Sequence, residues 1–196
     1  MTVWDAALSG DAAALTAALD ADPTTLNTPG PGGWPALHLA GHFGHLNSVE
    51  LLLARGANIE LRSANDMQNM ATHAAAAGAV PEARAPILER LLAAGITVDA
   101  TQHGGFTAPH SACQNGDDAC IRRLLARSAD IDKPADDGCT PDSLLKVGSP
   151  KRRRFSFRER ARRTPNRAIM EVRPCSPPKW RRPTAYKQSE KRSPTA

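Results

Sequence analysis

One six-residue phrase recurs along this chain at intervals the length of a helical hairpin. Gly33-Trp34-Pro35-Ala36-Leu37-His38 returns as Gly105-Phe106-Thr107-Ala108-Pro109-His110. Asn69-Met70-Ala71-Thr72-His73 lies between them, and Gly138-Cys139-Thr140-Pro141-Asp142-Ser143 follows. Counted on the histidine position, the intervals are 35, 37 and 33 residues. A self-similar period near 33 residues is the mark of a solenoid of stacked helix pairs. A unit that small cannot bury both of its apolar faces, so it is stable only against neighbours on either side. Such a row presents an open ridge rather than an enclosed pocket, which favours holding a partner over converting a substrate.

The clearest unit shows how the pattern builds structure. Gly33 makes a tight turn, and Pro35-Ala36 opens a helix, since proline's fixed φ suits a first turn. Leu37, Ala40 and Gly41 face a neighbouring layer, and Gly44 ends the helix. Val49, Leu51, Leu52 and Leu53 build a second helix that stops near Gly56, and Ala57-Asn58-Ile59 leads to the next turn. This unit resembles an ankyrin repeat, with the resemblance running over about residues 3–145, strongest over 33–60 and clear over 105–132. The resemblance implies an all-α solenoid of helix-turn-helix repeats joined by β-turn or hairpin loops. The expected organisation is a capping repeat at 1–28, repeats at 29–60, 61–99 and 100–132, a truncated repeat at 133–147 and a disordered basic tail at 148–196.

Departures from the pattern carry energetic expectations. Gly44 to Gly56 and Gly116 to Ser128 both span 12 residues, but Gly78 to Gly95 spans 17. The surplus, Ala79–Arg84, is expected to lengthen the loop between two helices. The buried-leucine position reads Leu37, Thr72, Pro109, Asp142, and losing a buried leucine costs about 2–5 kcal/mol where the site cannot collapse. Met70 stands where a threonine would cap a helix, a loss of about 1 kcal/mol, and Asn69 is expected to take over the capping. The fourth unit has no second helix in the expected place. A marginally stable stack that frays from its C-terminal end follows, with a melt below about 65 °C.

Charge divides the chain in two. Residues 151–196 hold 16 Lys and Arg against 3 Asp and Glu, a net of +13, while residues 1–150 hold 9 against 17, a net of −8. The four cysteines, Cys113, Cys120, Cys139 and Cys175, form no CxxC pair and read as free thiols. The N-terminus, Met1-Thr2-Val3-Trp4-Asp5, lacks a basic segment before an apolar run, and no apolar stretch reaches the length of a membrane span. A cytoplasmic location is expected, or a nuclear one in a nucleated cell if Lys151–Arg154 serves as an address.

The ankyrin resemblance implies that a protein partner meets the turn tips and first-helix faces. The residue four before each histidine is expected to project from the turn, and that register reads Trp34, Asn69, Phe106 and Cys139. Two of these are aromatic in a chain with only 4% aromatic residues, and aromatics are enriched where binding energy concentrates. First-helix positions four and five after the histidine add His42 and Phe43, and later Gln114 and Asn115. Trp34, His42, Phe43 and Phe106 are expected to form one apolar-aromatic patch, or alternatively to fold over neighbouring turns as local packing.

Catalysis, cofactors and metals find little support. His38, His73 and His110 belong to different layers, which lie about 8–10 Å apart, too far to share one zinc ion. Their expected role is to bond backbone groups near helix starts. His103, His110, Cys113 and Cys120 have suitable ligand types at a spacing that fits no usual site. There is no Gly-x-Ser-x-Gly elbow, no phosphate-binding loop and no dinucleotide fingerprint, so neither an enzyme nor a small-molecule substrate is expected.

The tail supports a second function class. Lys151, Arg152, Arg153, Arg154, Arg158, Arg160, Arg162 and Arg163 form a dense basic run. Trp180 sits beside Arg181 and Arg182. Aromatics among cations suit single-stranded nucleic acid or an anionic surface. The other readings are a solvated extension, or an altered C-terminus in another reading frame.

Overall fold

The structure is a computed structural model, and it describes residues 1–147. Nine α-helices are present among the described residues: α1 (Val3–Ser9), α2 (Ala12–Ala21), α3 (Ala36–His42), α4 (Leu46–Ala54), α5 (Ala71–Ala76), α6 (Pro81–Ala93), α7 (Ala108–Gln114), α8 (Asp118–Ala126) and α9 (Pro141–Val147). They stack in two rows. The odd-numbered helices pack one on the next, α1 on α3, α3 on α5, α5 on α7 and α7 on α9. The even-numbered helices form a second row, α2 on α4, α4 on α6 and α6 on α8. No strand is assigned among the described residues. The solenoid expected from the period is therefore the observed architecture.

Local chemistry starts the helices. Thr2 Oγ1 accepts the Asp5 N–H at 3.2 Å while the Asp5 carboxylate accepts the Thr2 N–H, closing a capping box on α1. Asp11 caps α2 and Asp117 caps α8 by the side chain alone, accepting the N–H of Ala14 and of Cys120. The core between the rows is aliphatic, with Leu15, Val49, Leu52, Ile87, Leu88, Leu91 and Leu124 essentially without exposure. In α5 all six residues are buried, and four of them are alanine, which lets α3 and α7 approach from both sides. Thr72 occupies the leucine position there, and its buried hydroxyl has no hydrogen-bond partner.

Of the five-residue surplus in the second unit, one residue falls in the loop and four in the helix. Three residues separate α3 from α4 and α7 from α8, and four separate α5 from α6. The added length is mainly helix, since α6 has 13 residues where α4 and α8 have 9. Pro81 takes the first helical position, Glu82 follows in the first turn, and Ala83 and Ala85 have high helix propensity. Packing fixes the extra turn. Val80 and Ala83 lie over Gly44, the Ala79 N–H donates to the His42 carbonyl at 2.7 Å, and Arg84 donates to the Gly78 carbonyl at 2.6 Å.

Asn69 does not cap α5 either. The Met70 N–H donates to His73 Nδ1 at 3.2 Å, so the histidine reaches back to do it. Asn69 is turned inward, where its own N–H donates to Ser63 Oγ at 3.0 Å. The fourth unit forms its first helix, α9, despite Asp142, because Thr140 and Ser143 exchange side-chain and backbone bonds at its start.

Between units the turns are joined through backbone. Ala64 N–H donates to the Gly33 carbonyl, His103 N–H to that of Met67, and Asp136 N–H to that of Gly104, at 2.8, 2.9 and 3.0 Å. Gly33 has φ +77°, and a Cβ there would stand 2.8 Å from the backbone of Ala64 and Asn65. Gly33→Ala is therefore expected to lower stability by at least about 2 kcal/mol, through left-handed strain plus loss of that junction. Gly56→Ala is the control. Gly56 has φ +82° but nothing within 4 Å of the added atom, so only the strain, about 1 kcal/mol, should register. Urea unfolding midpoints of the two variants check the difference.

Candidate functional site

The repeated histidines form a ladder along the first-helix row. His38 Nε2 is 2.9 Å from the Asn69 carbonyl, His73 Nε2 is 3.3 Å from that of Phe106, and His110 Nε2 is 3.1 Å from that of Cys139. Each ring thus bonds a turn carbonyl in the following unit. His73 Nδ1 accepts the Met70 N–H, and His110 Nδ1 accepts the Thr107 N–H at 3.0 Å. With Nδ1 accepting, Nε2 carries the proton and donates, so these rings are neutral. Pro35 stands where the third unit has Thr107 and offers no N–H, and His38 Nδ1 is left without a partner. Burial holds His38 and His73 down at a pKa of about 4, and it lowers His110 as well. The two ends of the ladder differ. Trp4 Nε1 donates to the Thr28 carbonyl at 3.1 Å, and Ser143 Oγ accepts the Thr140 N–H at 3.1 Å.

This ladder corrects one expectation about the turns. The residue four before each histidine does not project. Asn69, Phe106 and Cys139 are buried, and only Trp34 is half-exposed. Paired left-handed glycines, Gly32-Gly33 and Gly104-Gly105, reverse the chain so that the next ring lies back over the stack. Trp34 then packs edge-on against His38 at 6.3 Å, and Phe106 against His110 at 5.2 Å. What this register supplies is a carbonyl for the preceding histidine. Phe106 and Asn69 are packing groups in this arrangement.

The other partner-face residues are distributed along the first helices. His42 and Phe43 meet edge-to-face at 5.1 Å at the C-terminal end of α3, with Trp34 just before its N-terminal end. Seven helical residues separate them, a rise of about 10 Å. His42 is half-buried, and burial lowers its pKa. Asn115 is exposed while its Nδ2 donates to the Ala76 carbonyl at 3.0 Å, and Gln114 beside it is half-exposed. Trp34, Phe43, Gln114 and Asn115 are thus the accessible members of the set. Lys151, Arg152, Arg153, Arg154, Arg158, Arg160, Arg162, Arg163, Trp180, Arg181 and Arg182 lie outside the described residues.

The second-helix row has a different surface. Asp20 pairs with Arg55 at 2.6 Å, Glu50 with Arg90 at 2.9 Å, and Glu89 with Arg123 and Arg127 at 3.4 and 3.5 Å. Each carboxylate belongs to one unit and each arginine to the next. Sequence reading missed this row because its partners are 34–40 residues apart; the signal was the recurrence of charge at matching helix positions. A second missed pair, Arg84 with Asp117 at 3.8 Å, is well buried and ties the extra turn of α6 to the cap of α8.

The thiols of Cys113 and Cys120 are free and buried, and burial pushes both up to about 12. A thiol so poised is not a nucleophile at neutral pH. His103, the remaining member of the His/Cys set considered for metal, is exposed on a short 3₁₀ turn, away from those buried groups. No helix among the described residues is long and apolar enough to cross a membrane. In comparison with known families, residues 32–64 match the ankyrin repeat. A comparison with curated proteins finds no match.

Proposed function

This chain carries an ankyrin repeat at residues 32–64, set in a stack of like hairpins, and from that premise we propose a non-catalytic module that holds another protein along its first-helix and turn face. The observation that carries the reading is the asymmetry of the two rows. The second-helix face is spanned by inter-unit ion pairs. On the first-helix side Trp34, Phe43 and Gln114 are half-exposed and Asn115 is exposed, with its Nδ2 donating to the Ala76 carbonyl. Half-exposed aromatics with polar side chains further along the same row suit a protein surface. Trp34→Ala with Phe43→Ala is expected to reduce partner capture from the native cell at least tenfold while leaving far-UV ellipticity unchanged. Unchanged capture would place the partner elsewhere.

Charge separation favours a second reading, in which the tail binds nucleic acid or another anionic surface and the stack serves as a docking body. Net charge is −8 over residues 1–150 and +13 over 151–196. Its signature is affinity for single-stranded nucleic acid that falls steeply with salt and is lost on deletion of residues 149–196.

A further inference from the structure

Each unit is joined to the next by a turn that one backbone bond closes. The Gly30 N–H donates to the Trp34 carbonyl, that of Gln102 to Phe106 and that of Ala135 to Cys139, at 2.9, 2.8 and 2.8 Å, and each of these turns encloses three residues. The second turn is longer. There the Ser63 N–H donates to the Asn69 carbonyl at 2.8 Å and encloses five residues, Ala64 to Gln68.

The residue just before the closing carbonyl differs as well. It is glycine in the other three turns, Gly33, Gly105 and Gly138, at φ +77°, +75° and +80°. In the second turn it is Gln68, at φ +45°. That region is sterically unfavourable for a residue with a Cβ and open to glycine. Gln68 is exposed, and no hydrogen bond of its side chain within the described residues offsets the strain. Strain of this kind gathers where a chain meets a ligand.

The long turn is braced on both sides. Asn65 Oδ1 accepts the Ser63 hydroxyl and the Met67 N–H, Asn65 Nδ2 donates to the Gly32 carbonyl at 3.1 Å, and the Met67 carbonyl accepts the His103 N–H at 2.9 Å. Arg62, the cation of this turn, directs Nη1 at the Gln68 and Thr101 carbonyls. The same bracing draws an aromatic and a carboxylate together. The Trp34 indole lies against Gly32, with Cδ1 3.3 Å from where a Cβ there would stand, and Gly32 is the residue that Asn65 bonds. Asp66 comes next in the chain, is exposed, and has no hydrogen bond or ion pair among the described residues. An indole beside an unpaired carboxylate suits a guanidinium or ammonium group. The net charge of −8 over residues 1–150 favours a partner of the same positive sign.

We propose that the first and second turns form a cleft for an arginine or lysine side chain of a protein partner, held between the Trp34 ring and the Asp66 carboxylate, with Gln68 bonding the partner's backbone beside it. This rests on the reading that a protein is held along the first-helix and turn face.

The test uses a blocked Gly-Arg-Gly peptide and its citrulline counterpart, which keeps the shape and lacks the charge. Both are titrated at low salt into the isotope-labelled full chain and followed by NMR. The arginine peptide is expected to shift the Trp34 indole N–H and the amides of residues 65–68, with an affinity at least about fivefold above that of the citrulline peptide. Asp66→Asn is expected to remove that difference. Gln68→Gly is expected to raise the urea midpoint of unfolding while weakening binding at least about twofold. Absence of the shifts, or equal shifts by both peptides, overturns the cleft; if Trp34→Ala with Phe43→Ala still lowers partner capture, the holding face itself stands. Unchanged affinity in Gln68→Gly overturns the role of that residue. If Asp66→Asn moves the signals of residues 151–163 with no peptide added, the cleft belongs to this chain's own basic segment and a separate partner is overturned.

Discussion

Acidification from pH 7 to pH 4.5 is expected to lower the stability of this stack by about 5 kcal/mol, by a route that lies in the core rather than on the surface. His38 and His73 sit at about 4 because burial removes their charged form from water, against an ordinary value of 6.5. The unfolded chain therefore binds protons that the folded chain refuses. Above pH 6.5 both states are neutral at these rings and stability is unaffected. Below it, each ring weakens the fold by about 1.4 kcal/mol per pH unit until its folded pKa is reached near 4. The two together remove about 5 kcal/mol at pH 4.5, a large share of the 5–15 kcal/mol that a domain has. His110, also lowered, adds in the same direction. The measurement is the urea midpoint at half-unit pH intervals. A midpoint flat between pH 7 and 4.5 would mean that the rings take up protons without breaking the ladder.

The histidines show how far the sequence alone could be read. Their period identified the stack and a backbone-bonding role was expected of them, while their neutrality follows from burial in the structure. The bare Nδ1 of His38 was legible too, because proline at position 35 cannot donate. The turn register was misread for a definite reason. A residue after two left-handed glycines is folded back, and Gly32-Gly33 and Gly104-Gly105 carried that signal. The surplus residues at 79–84 were assigned to a loop because interval counting cannot distinguish added loop from added helix; Pro81 followed by Glu82 and Ala83 was the local clue. Pairing between even-numbered helices was opaque, since a surface Glu or Arg reads alike whether it meets solvent or the next unit.

Leu88→Ala should separate the unfolding of the two ends of the stack. Leu88 has no exposed surface, and α6 packs against α3, α4, α5 and α8. Truncation removes about 2–5 kcal/mol of packing and cavity energy at the middle of the row. In a compact globule that loss would lower one common transition. In a stack, stability is a sum of unit and nearest-neighbour interface terms, so weakening a central interface decouples what lies on either side. The C-terminal side should melt first, because Pro109 and Asp142 occupy the positions that Leu37 fills nearer the N-terminus. Trp4 and Trp34 both lie on the N-terminal side, and a Trp180→Phe background leaves them as the only tryptophans. Their fluorescence should then change at higher urea than the far-UV ellipticity, while the two probes coincide with Leu88 intact. Leu15→Ala, at the N-terminal edge, provides the contrast. Leu15 is equally buried but sits in α2, which packs chiefly on α1, α4 and the 3₁₀ turn Pro23–Asn27 at the N-terminal end, so its fluorescence transition should move to lower urea and the bulk of the ellipticity should stay in place. Coincident probes in Leu88→Ala would show that the hairpins unfold as one cooperative unit and that nearest-neighbour coupling is strong enough to survive a central cavity.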